Sequence, residues 1–101
     1  MITRIWHGCT KPENADAYHQ LLTTKILPGI HRVKGYHGTY LLRRELKEEV
    51  EFITLTLWES LDAIREFAGQ DYEMAVVPPE ARTLLVRFDE RSEHYGTVWC
   101  P

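Results

Sequence analysis

Histidine is the residue of this chain best suited to proton transfer near neutral pH, because its unperturbed pKa lies near 6.5. The chain has five, namely His7, His19, His31, His37 and His94. No two are spaced as HxxxH or HxH, so the sequence predicts no metal site. The chain also lacks a Ser-His-Asp order, a nucleophile elbow, a glycine-rich phosphate loop and a paired-carboxylate motif. Any chemistry must therefore come from side chains that the fold brings together.

Charge and composition exclude several classes of partner. The net charge is −3, and the one dense basic pair, Arg43-Arg44, is followed by several glutamates, which does not make the coherent basic face that binds nucleic acid. No apolar run approaches the roughly 20 residues needed to cross a bilayer. The N-terminus lacks the apolar core of a signal peptide. We expect a cytoplasmic protein in which Cys9 and Cys100 are free thiols, with no nucleic-acid or membrane partner.

The stretch from Val50 to Gly69 carries the clearest structural signals. Residues 50–58 alternate as a strand with apolar or weakly polar side chains on both faces, so both sides of this strand should be covered. Ser60 can cap a following helix whose apolar stripe includes Leu61, Ile64 and Phe67. Gly69 can take the left-handed conformation that ends it. The sequence thus predicts a doubly covered strand that leads into an amphipathic helix.

The N-terminal half predicts a strand, a helix and a second strand. The first strand runs from Ile2 to His7, and Thr10-Lys11-Pro12-Glu13 reads as a capping box. Apolar residues spaced by three and four then indicate a helix that ends at Pro28-Gly29. A strand from Tyr36 to Leu46 follows, with Lys47-Glu48-Glu49 as the hairpin tip before Val50.

The C-terminal third is less regular. Asp71 to Val77 can add a helical turn, which Pro78-Pro79 breaks. Glu80 to Phe88 fits either a short helix or an extended segment, and we favour the helix. Glu93 to Trp99 alternates as a last strand.

The order strand, helix, strand, strand, helix, strand predicts one ferredoxin-like α+β domain over residues 1–101. This is the split βαβ arrangement, a four-stranded antiparallel sheet with both helices on one face. Because the strands carry apolar residues on both faces, the free face should bind a partner. We expect a homodimer in which two sheets form a dimeric α/β barrel.

The segment LTLWESLDAIREFAG, followed by Tyr72, Pro78-Pro79-Glu80 and His94-Tyr95, resembles the antibiotic biosynthesis monooxygenase-like domains of the dimeric α/β-barrel superfamily. The resemblance follows the element order over nearly the whole chain and is sharpest at Trp58-Glu59-Ser60. The resemblance implies a family that includes cofactor-independent oxygenases of polycyclic phenols and quinols, haem-degrading oxygenases and many proteins with no known activity, and a shared fold does not decide among them.

The haem-degrading branch resembles a site with an iron-ligating histidine late in the second helical segment and an asparagine on the first strand. Residues 59–81 contain no histidine, and the only asparagine, Asn14, falls in the first helix. We therefore expect no haem and no other cofactor. The cofactor-independent branch needs a proton acceptor, donors for a developing oxyanion and apolar walls that exclude water.

That requirement gives the candidate site residues. The proton acceptor could be one of three histidines predicted on strands, His7, His37 or His94. Trp58 lies at the strand end that borders the pocket in some relatives, although plain core packing is the alternative. The remaining candidates for substrate binding are Trp6, Tyr72 and Arg43. The sequence leaves two functions open: a monooxygenase acting on a phenolic or quinol-like substrate, and a non-catalytic protein that binds a small apolar or aromatic molecule.

Overall fold

The computed structural model describes residues 1–101. Its framework is an antiparallel sheet with β1 and β3 at the centre, β2 beyond β3, and both β4 and β5 paired with the other side of β1. The strands are β1 (Ile2–Thr10), β2 (Tyr36–Glu45), β3 (Val50–Trp58), β4 (Leu85–Phe88) and β5 (Glu93–Gly96). Because β4 pairs with the C-terminal half of β1 and β5 with its N-terminal half, the two together occupy the position of one edge strand.

The helices lie on one face of this sheet. A 3₁₀ turn, Pro12–Asn14, leads into a run of helical segments that connects β1 to β2; the later helices connect β3 to β4. The helical segments are α1 (Ala15–Leu21), a π-helix (Leu22–Ile26), α2 (Leu27–Ile30), α3 (Leu61–Ala68) and α4 (Pro79–Arg82). None of these helices has the length and apolarity required to span a membrane.

Alternation along the strands sends every second side chain towards these helices. From β3, Val50 and Phe52 pack with Tyr18 of α1 in one core cluster, and Trp58 packs with Ile64 of α3 in a second. Both clusters use the same face of β3, which places the helices together on that side. The ferredoxin-like α+β fold predicted from the sequence is confirmed.

The strand and helix predicted over residues 50–69 are both present, and Ser60 and Gly69 cap the helix as predicted. The Ser60 hydroxyl accepts a hydrogen bond from the Ala63 N–H at 3.2 Å. The helix ends at Gly69, whose φ of +95° is a conformation that other residues rarely adopt. Ile64 is fully buried. Local sequence signals thus determined this unit.

Two predictions in the first half are wrong. Thr10 does not cap a helix: it is the last residue of β1, and its Oγ1 atom is buried without a hydrogen-bond partner. The strand extends past His7 because Thr10 pairs with Val50 across the sheet. Pro28 and Gly29 lie inside α2 rather than ending the helix, because Pro28 falls in the first turn of α2, where a missing N–H costs little.

The C-terminal third also differs from the prediction. Residues 71–77 form no helix, but they contain one hydrogen-bonded turn, in which the Met74 N–H donates to the Asp71 carbonyl oxygen at 3.0 Å. Pro79 begins α4 instead of breaking a helix. The expected short helix over 80–88 is divided into α4 and the strand β4, so part of the extended alternative is correct. The last strand is shorter than expected and ends at Gly96.

The sheet face away from the helices is largely apolar. Ile53, Leu55 and Leu57 of β3 alternate with the buried core residues and are only partly covered. On the neighbouring strands, Tyr40 is 58% exposed and Tyr95 is 51% exposed. We refer to this surface as the open face of the sheet.

Candidate functional site

A cavity of about 450 Å³ lies between the helices and the sheet, within the size range of small-molecule sites. Eleven of its 19 lining residues are hydrophobic. The helical side contributes Tyr18, Leu22, Ile26, Leu27 and Ile30, the sheet contributes Trp6, Thr54 and Thr56, and the segment before α4 contributes Val76, Val77 and Pro78. Such walls suit an apolar or aromatic ligand.

Arg4 is the one buried charged side chain of the cavity wall. It is only 5% exposed. Its Nη1 donates to the Tyr72 carbonyl oxygen at 2.5 Å and lies 2.9 Å from Nε2 of His94, and its Nη2 donates to the Met74 carbonyl oxygen at 3.2 Å. The guanidinium carbon also lies 5.7 Å from the centre of the Phe67 ring. No carboxylate pairs with Arg4, so a buried positive charge stands against apolar walls.

Burial lowers the pKa of Arg4 from its ordinary value to about 10, because a low-dielectric surrounding disfavours the charged form. A pKa of about 10 leaves the guanidinium protonated at neutral pH. The pKa of His94 is lowered from 6.5, first by burial and then by the positive charge of Arg4, while Glu73 opposes the shift. His94 is therefore neutral at pH 7. Since Arg4 can only donate, Nε2 of His94 is the acceptor and the ring proton sits on Nδ1.

The two predicted tryptophans occupy different positions. Trp6 lines the cavity, and its Nε1 donates to the Asp89 carbonyl oxygen at 2.7 Å. Trp58 is fully buried beside the cavity, and its Nε1 donates to Oγ1 of Thr56 at 2.7 Å. Thr56 itself lines the cavity. The structure therefore brings the Trp58 indole close to the site through Thr56, with its N–H already bonded.

The structure also brings Tyr72 and His94 together. Their rings meet edge to face with centroids 5.0 Å apart, and the backbone carbonyl of Tyr72 is the one that Arg4 contacts. The guanidinium carbon of Arg65 also lies over the Tyr72 ring, 5.2 Å from its centre. Neither Tyr72 nor His94 belongs to the cavity lining. Both residues therefore contact Arg4 from outside the cavity lining.

The other three predicted site residues lie away from the cavity. His7 points to the opposite face of the sheet, where its Nδ1 is 3.1 Å from Oδ2 of Asp89. His37 is exposed on β2 and makes no side-chain hydrogen bond. Arg43 pairs with Asp16 and with Glu45, both at 2.9 Å, and these hydrogen bonds raise its pKa.

The residues 71–78, which we call the covering segment, close one side of the cavity without regular structure. Main-chain hydrogen bonds join it to the connection between β4 and β5: Ala75 donates to Glu90, and Ser92 donates to Glu73. At the rim of the cavity, Lys25 lies 3.8 Å from Glu80, and both side chains are well exposed. The covering segment is therefore tied to the sheet edge, and the charged pair at the rim is in contact with solvent.

Arg4 is the important residue that sequence reasoning missed. It alternates with Ile2 and Trp6 along β1, which places a charged side chain on the same face as two apolar ones. An arginine at a core-facing position was a signal that could have identified it. Its partners are 68 and 90 positions away along the chain for Tyr72 and His94, so no local pattern shows them.

The family assignment follows from a comparison of the sequence with models of known protein families. The sequence model for antibiotic biosynthesis monooxygenase matches residues 1–79. This chain belongs to that family. A search of curated protein sequences found no match.

Solved structures of the same fold carry varied activities. The haem degrader MhuD from Mycobacterium tuberculosis is 18% identical with a TM-score of 0.64, the match covering 100% of this chain and 99% of that one. SnoaB from Streptomyces nogalater, described as a cofactor-independent oxygenase, is 17% identical with a TM-score of 0.61, covering 98% and 94%. The ActVA-Orf6 monooxygenase from Streptomyces coelicolor, in complex with nanaomycin D, is 17% identical with a TM-score of 0.61, covering 99% and 92%. At these identities the likeness shows the shared fold.

The lining of the cavity does not fit haem. It contains no histidine, cysteine or methionine to ligate iron. Its one tyrosine, Tyr18, is buried, and burial raises the pKa of its phenol, which disfavours the tyrosinate that iron would need. His94 lies outside the lining, with Nε2 occupied by Arg4.

Proposed function

We propose that the protein is a cytoplasmic, homodimeric oxygenase that binds a phenolic or quinol-like aromatic molecule in its helix–sheet cavity and oxygenates it with O₂, without metal, haem or flavin. The observation that carries the proposal is a largely apolar cavity with one buried cation, Arg4, in its wall. Membership of the antibiotic biosynthesis monooxygenase family and the cofactor-independent oxygenase among its structural neighbours support it.

The chemistry begins with loss of the substrate's phenolic proton. A phenol placed beside the Arg4 guanidinium ionises more readily, because the positive charge stabilises the phenolate in a dry site. The proton leaves to water at the rim, where Lys25 and Glu80 meet solvent. The resulting anion is electron-rich and can reduce O₂.

The electron count then balances without a cofactor. The phenolate gives one electron to O₂, and the phenoxyl radical and superoxide combine to form a carbon–oxygen bond. Uptake of a proton gives a hydroperoxide. Its O–O bond breaks with loss of water and leaves a new C=O group, so a ring CH₂ and one O₂ become C=O and H₂O. The protein binds and ionises the substrate and keeps water away from the intermediates.

His94 serves this chemistry through Arg4. Its neutral Nε2 accepts from Arg4 and so fixes the position of the guanidinium, while the Tyr72 and Met74 carbonyls hold the same group. We therefore assign His94 as a positioning residue. His7 and His37, on other surfaces of the sheet, take no part in this proposal.

The test is turnover of anthrone, whose enol tautomer is a polycyclic phenol. Oxygen uptake should equal anthraquinone formation one to one, above the rate with heat-denatured protein and unchanged by a metal chelator. His94→Leu should lower the rate by about ten- to a hundredfold, whereas His94→Gln, which keeps an acceptor for Arg4, should recover most of it. His7→Leu is the matched control and should leave the rate unchanged.

A second candidate function, non-catalytic binding of an aromatic molecule, is favoured by the absence of histidine from the lining. Aromatic ligands that bind at micromolar concentration without any O₂ uptake above background would support this alternative and end the oxygenase proposal.

The homodimer is supported by the open face of the sheet. A second copy packing its own open face there would cover Leu55 and its cross-strand neighbours Ile5 and Tyr40. Light scattering should give twice the chain mass of 11.9 kDa. Leu55→Lys should shift the protein to monomer, whereas Leu46→Lys, at the exposed hairpin tip, should not. A wild-type monomer at micromolar concentration would refute the dimer.

A further inference from the structure

The hydrogen bonds of Arg4 leave two of the five N–H groups of its guanidinium without a partner. Nη1 uses both of its protons, on the Tyr72 carbonyl and on His94, and Nη2 uses one, on the Met74 carbonyl. Nε–H and the second Nη2–H have no protein acceptor. All three accepting residues lie outside the cavity lining, whereas Arg4 itself belongs to it. The guanidinium is therefore held by residues outside the cavity lining.

The charge of this group is also uncompensated. Every other arginine of the chain except Arg32 and Arg82 lies in an ion pair with a carboxylate, whereas Arg4, the one buried arginine, has none. Burying a charge without a partner is costly, and a bound anion would remove that cost. The acidic residue of the cavity lining, Glu80, is at the exposed rim and pairs with Lys25.

We propose that the natural ligand of this cavity carries a carboxylate on its aromatic body and that this carboxylate binds side-on to the Nε–H and Nη2–H edge of Arg4. Two parallel N–H donors match the two oxygens of a carboxylate. The Phe67 ring, which also lines the cavity, lies against the guanidinium, whose carbon is 5.7 Å from the ring centre. The inference takes only the location of the ligand from the proposed function: here the carboxylate has the contact with Arg4 that the phenolic oxygen has in the proposed reaction. It concerns ligand class and holds whether or not turnover occurs.

A carboxylate fits this position better than a phenol. A phenol of ordinary pKa, about 10 for tyrosine, is neutral at pH 7 and offers a single oxygen. A carboxylate is fully charged at that pH and can accept both hydrogen bonds. The charge balance and the donor geometry therefore favour the same group.

The experiment compares three probes of one ring system by calorimetry at pH 7: 2-naphthoate, 2-naphthamide and 2-naphthol. The wild-type protein should bind 2-naphthoate about 10- to 100-fold more tightly than either neutral probe, the range that charge-assisted hydrogen bonds give. Arg4→Gln should abolish this preference. Because Arg4 also holds the covering segment, the variant can weaken all three probes together, so the ratio of affinities decides the result.

Lys25→Gln is the control for the other cation of the cavity, and the preference should survive it. Equal binding of the three probes by the wild type, a preference that persists in Arg4→Gln, or one that disappears in Lys25→Gln would each overturn the inference. Failure of all three probes to bind would instead refute the cavity as a ligand site, and with it the proposed function.

A measurement on the wild-type protein covers the case in which Arg4→Gln does not fold. In a sample with ¹⁵N-labelled arginine, the Nε–H signal of Arg4 is identified by its nuclear Overhauser contacts with the ring of Phe67, which lies against the guanidinium. That signal should move downfield with 2-naphthoate and stay in place with 2-naphthamide. An unmoved signal in the presence of bound 2-naphthoate would overturn the inference.

Discussion

The hydrogen bond between Trp58 and Thr56 makes a quantitative prediction about stability. Trp58 is fully buried and Thr56 is 4% exposed, and the indole N–H donates to the threonine hydroxyl at 2.7 Å. Thr56→Val removes the acceptor and leaves the N–H buried without a partner, which should cost about 1–3 kcal/mol of unfolding free energy. Trp58→Phe removes the donor and part of the ring. We expect it to cost about 2 kcal/mol, less than the roughly 3–5 kcal/mol of truncation to alanine.

The double variant separates the hydrogen bond from packing. With both partners gone no polar group is stranded, so Trp58→Phe with Thr56→Val should cost about 2 kcal/mol, not the sum of about 4 kcal/mol. Urea unfolding, followed by fluorescence and circular dichroism at one fixed protein concentration, measures all four proteins. Agreement of the double variant with the sum to within about 0.5 kcal/mol would show that the two side chains are not coupled and would refute this reasoning.

The single variant Trp58→Phe also tests whether Trp58 has a role in ligand binding. Its N–H is already donated to Thr56, so Trp58→Phe should change ligand affinity and turnover by less than about threefold, even as the melting temperature falls by about 4–8 °C per kcal/mol. A loss of a hundredfold or more in turnover would mean that the indole N–H reaches the substrate.

Further predictions concern backbone, capping, pH and haem. Gly35→Ala should lower the unfolding free energy by at least about 2 kcal/mol, because φ at this residue is +91° and a new Cβ would lie 2.6 Å from the Cβ of Ala63. Gly29→Ala is the control: no atom lies within 4 Å of its new Cβ, so the change should be neutral or stabilise the protein by up to about 1 kcal/mol. Thermal unfolding measures both variants. Ser60→Ala should cost about 1 kcal/mol in the same assay through loss of its cap. His94 has a pKa below 6.5 in the folded protein, so the unfolded chain binds more protons below that pH; unfolding free energy should fall on acidification from pH 6.5, and less so in His94→Gln. Titration with haemin should give no one-to-one Soret shift.

The fold could be predicted from sequence where its signals are local. The alternation of β3, the Ser60 cap and Gly69 lie within about twenty residues, and each acts on its neighbours. Prediction failed where distant pairing decided the structure. Thr10 and the residues that follow it have the sequence pattern of a helix cap, but pairing with Val50 and Leu85 keeps Thr10 in β1. Tertiary contacts override such propensities routinely.

The candidate site could be predicted only in part, for the same reason. Trp6 was recognised as an aromatic residue on a strand, and it does line the cavity. The sequence points to histidine because of its intrinsic pKa, yet the cavity wall holds Arg4, whose importance depends on burial and on the absence of a carboxylate nearby. Neither property is visible in the residue type. The environment of a charged group, more than its identity, determines what it can do.

The irregular edge of the sheet explains how the cavity obtains its charge and its cover. Four residues, 89–92, stand between β4 and β5, while only Trp6 and His7 separate the corresponding positions on β1. The connection between β4 and β5 is therefore two residues longer than the part of β1 that it passes. Because side chains alternate between the two faces of a sheet, an even number of extra residues leaves His94 on the cavity face, paired with Arg4. The extra main chain leaves the ladder and pairs with the covering segment through Glu90 and Ser92. An excess of one residue would have turned His94 to the open face and left Arg4 without its imidazole. One interruption of an edge strand thus sets both the cover of the cavity and the position of its only buried cation.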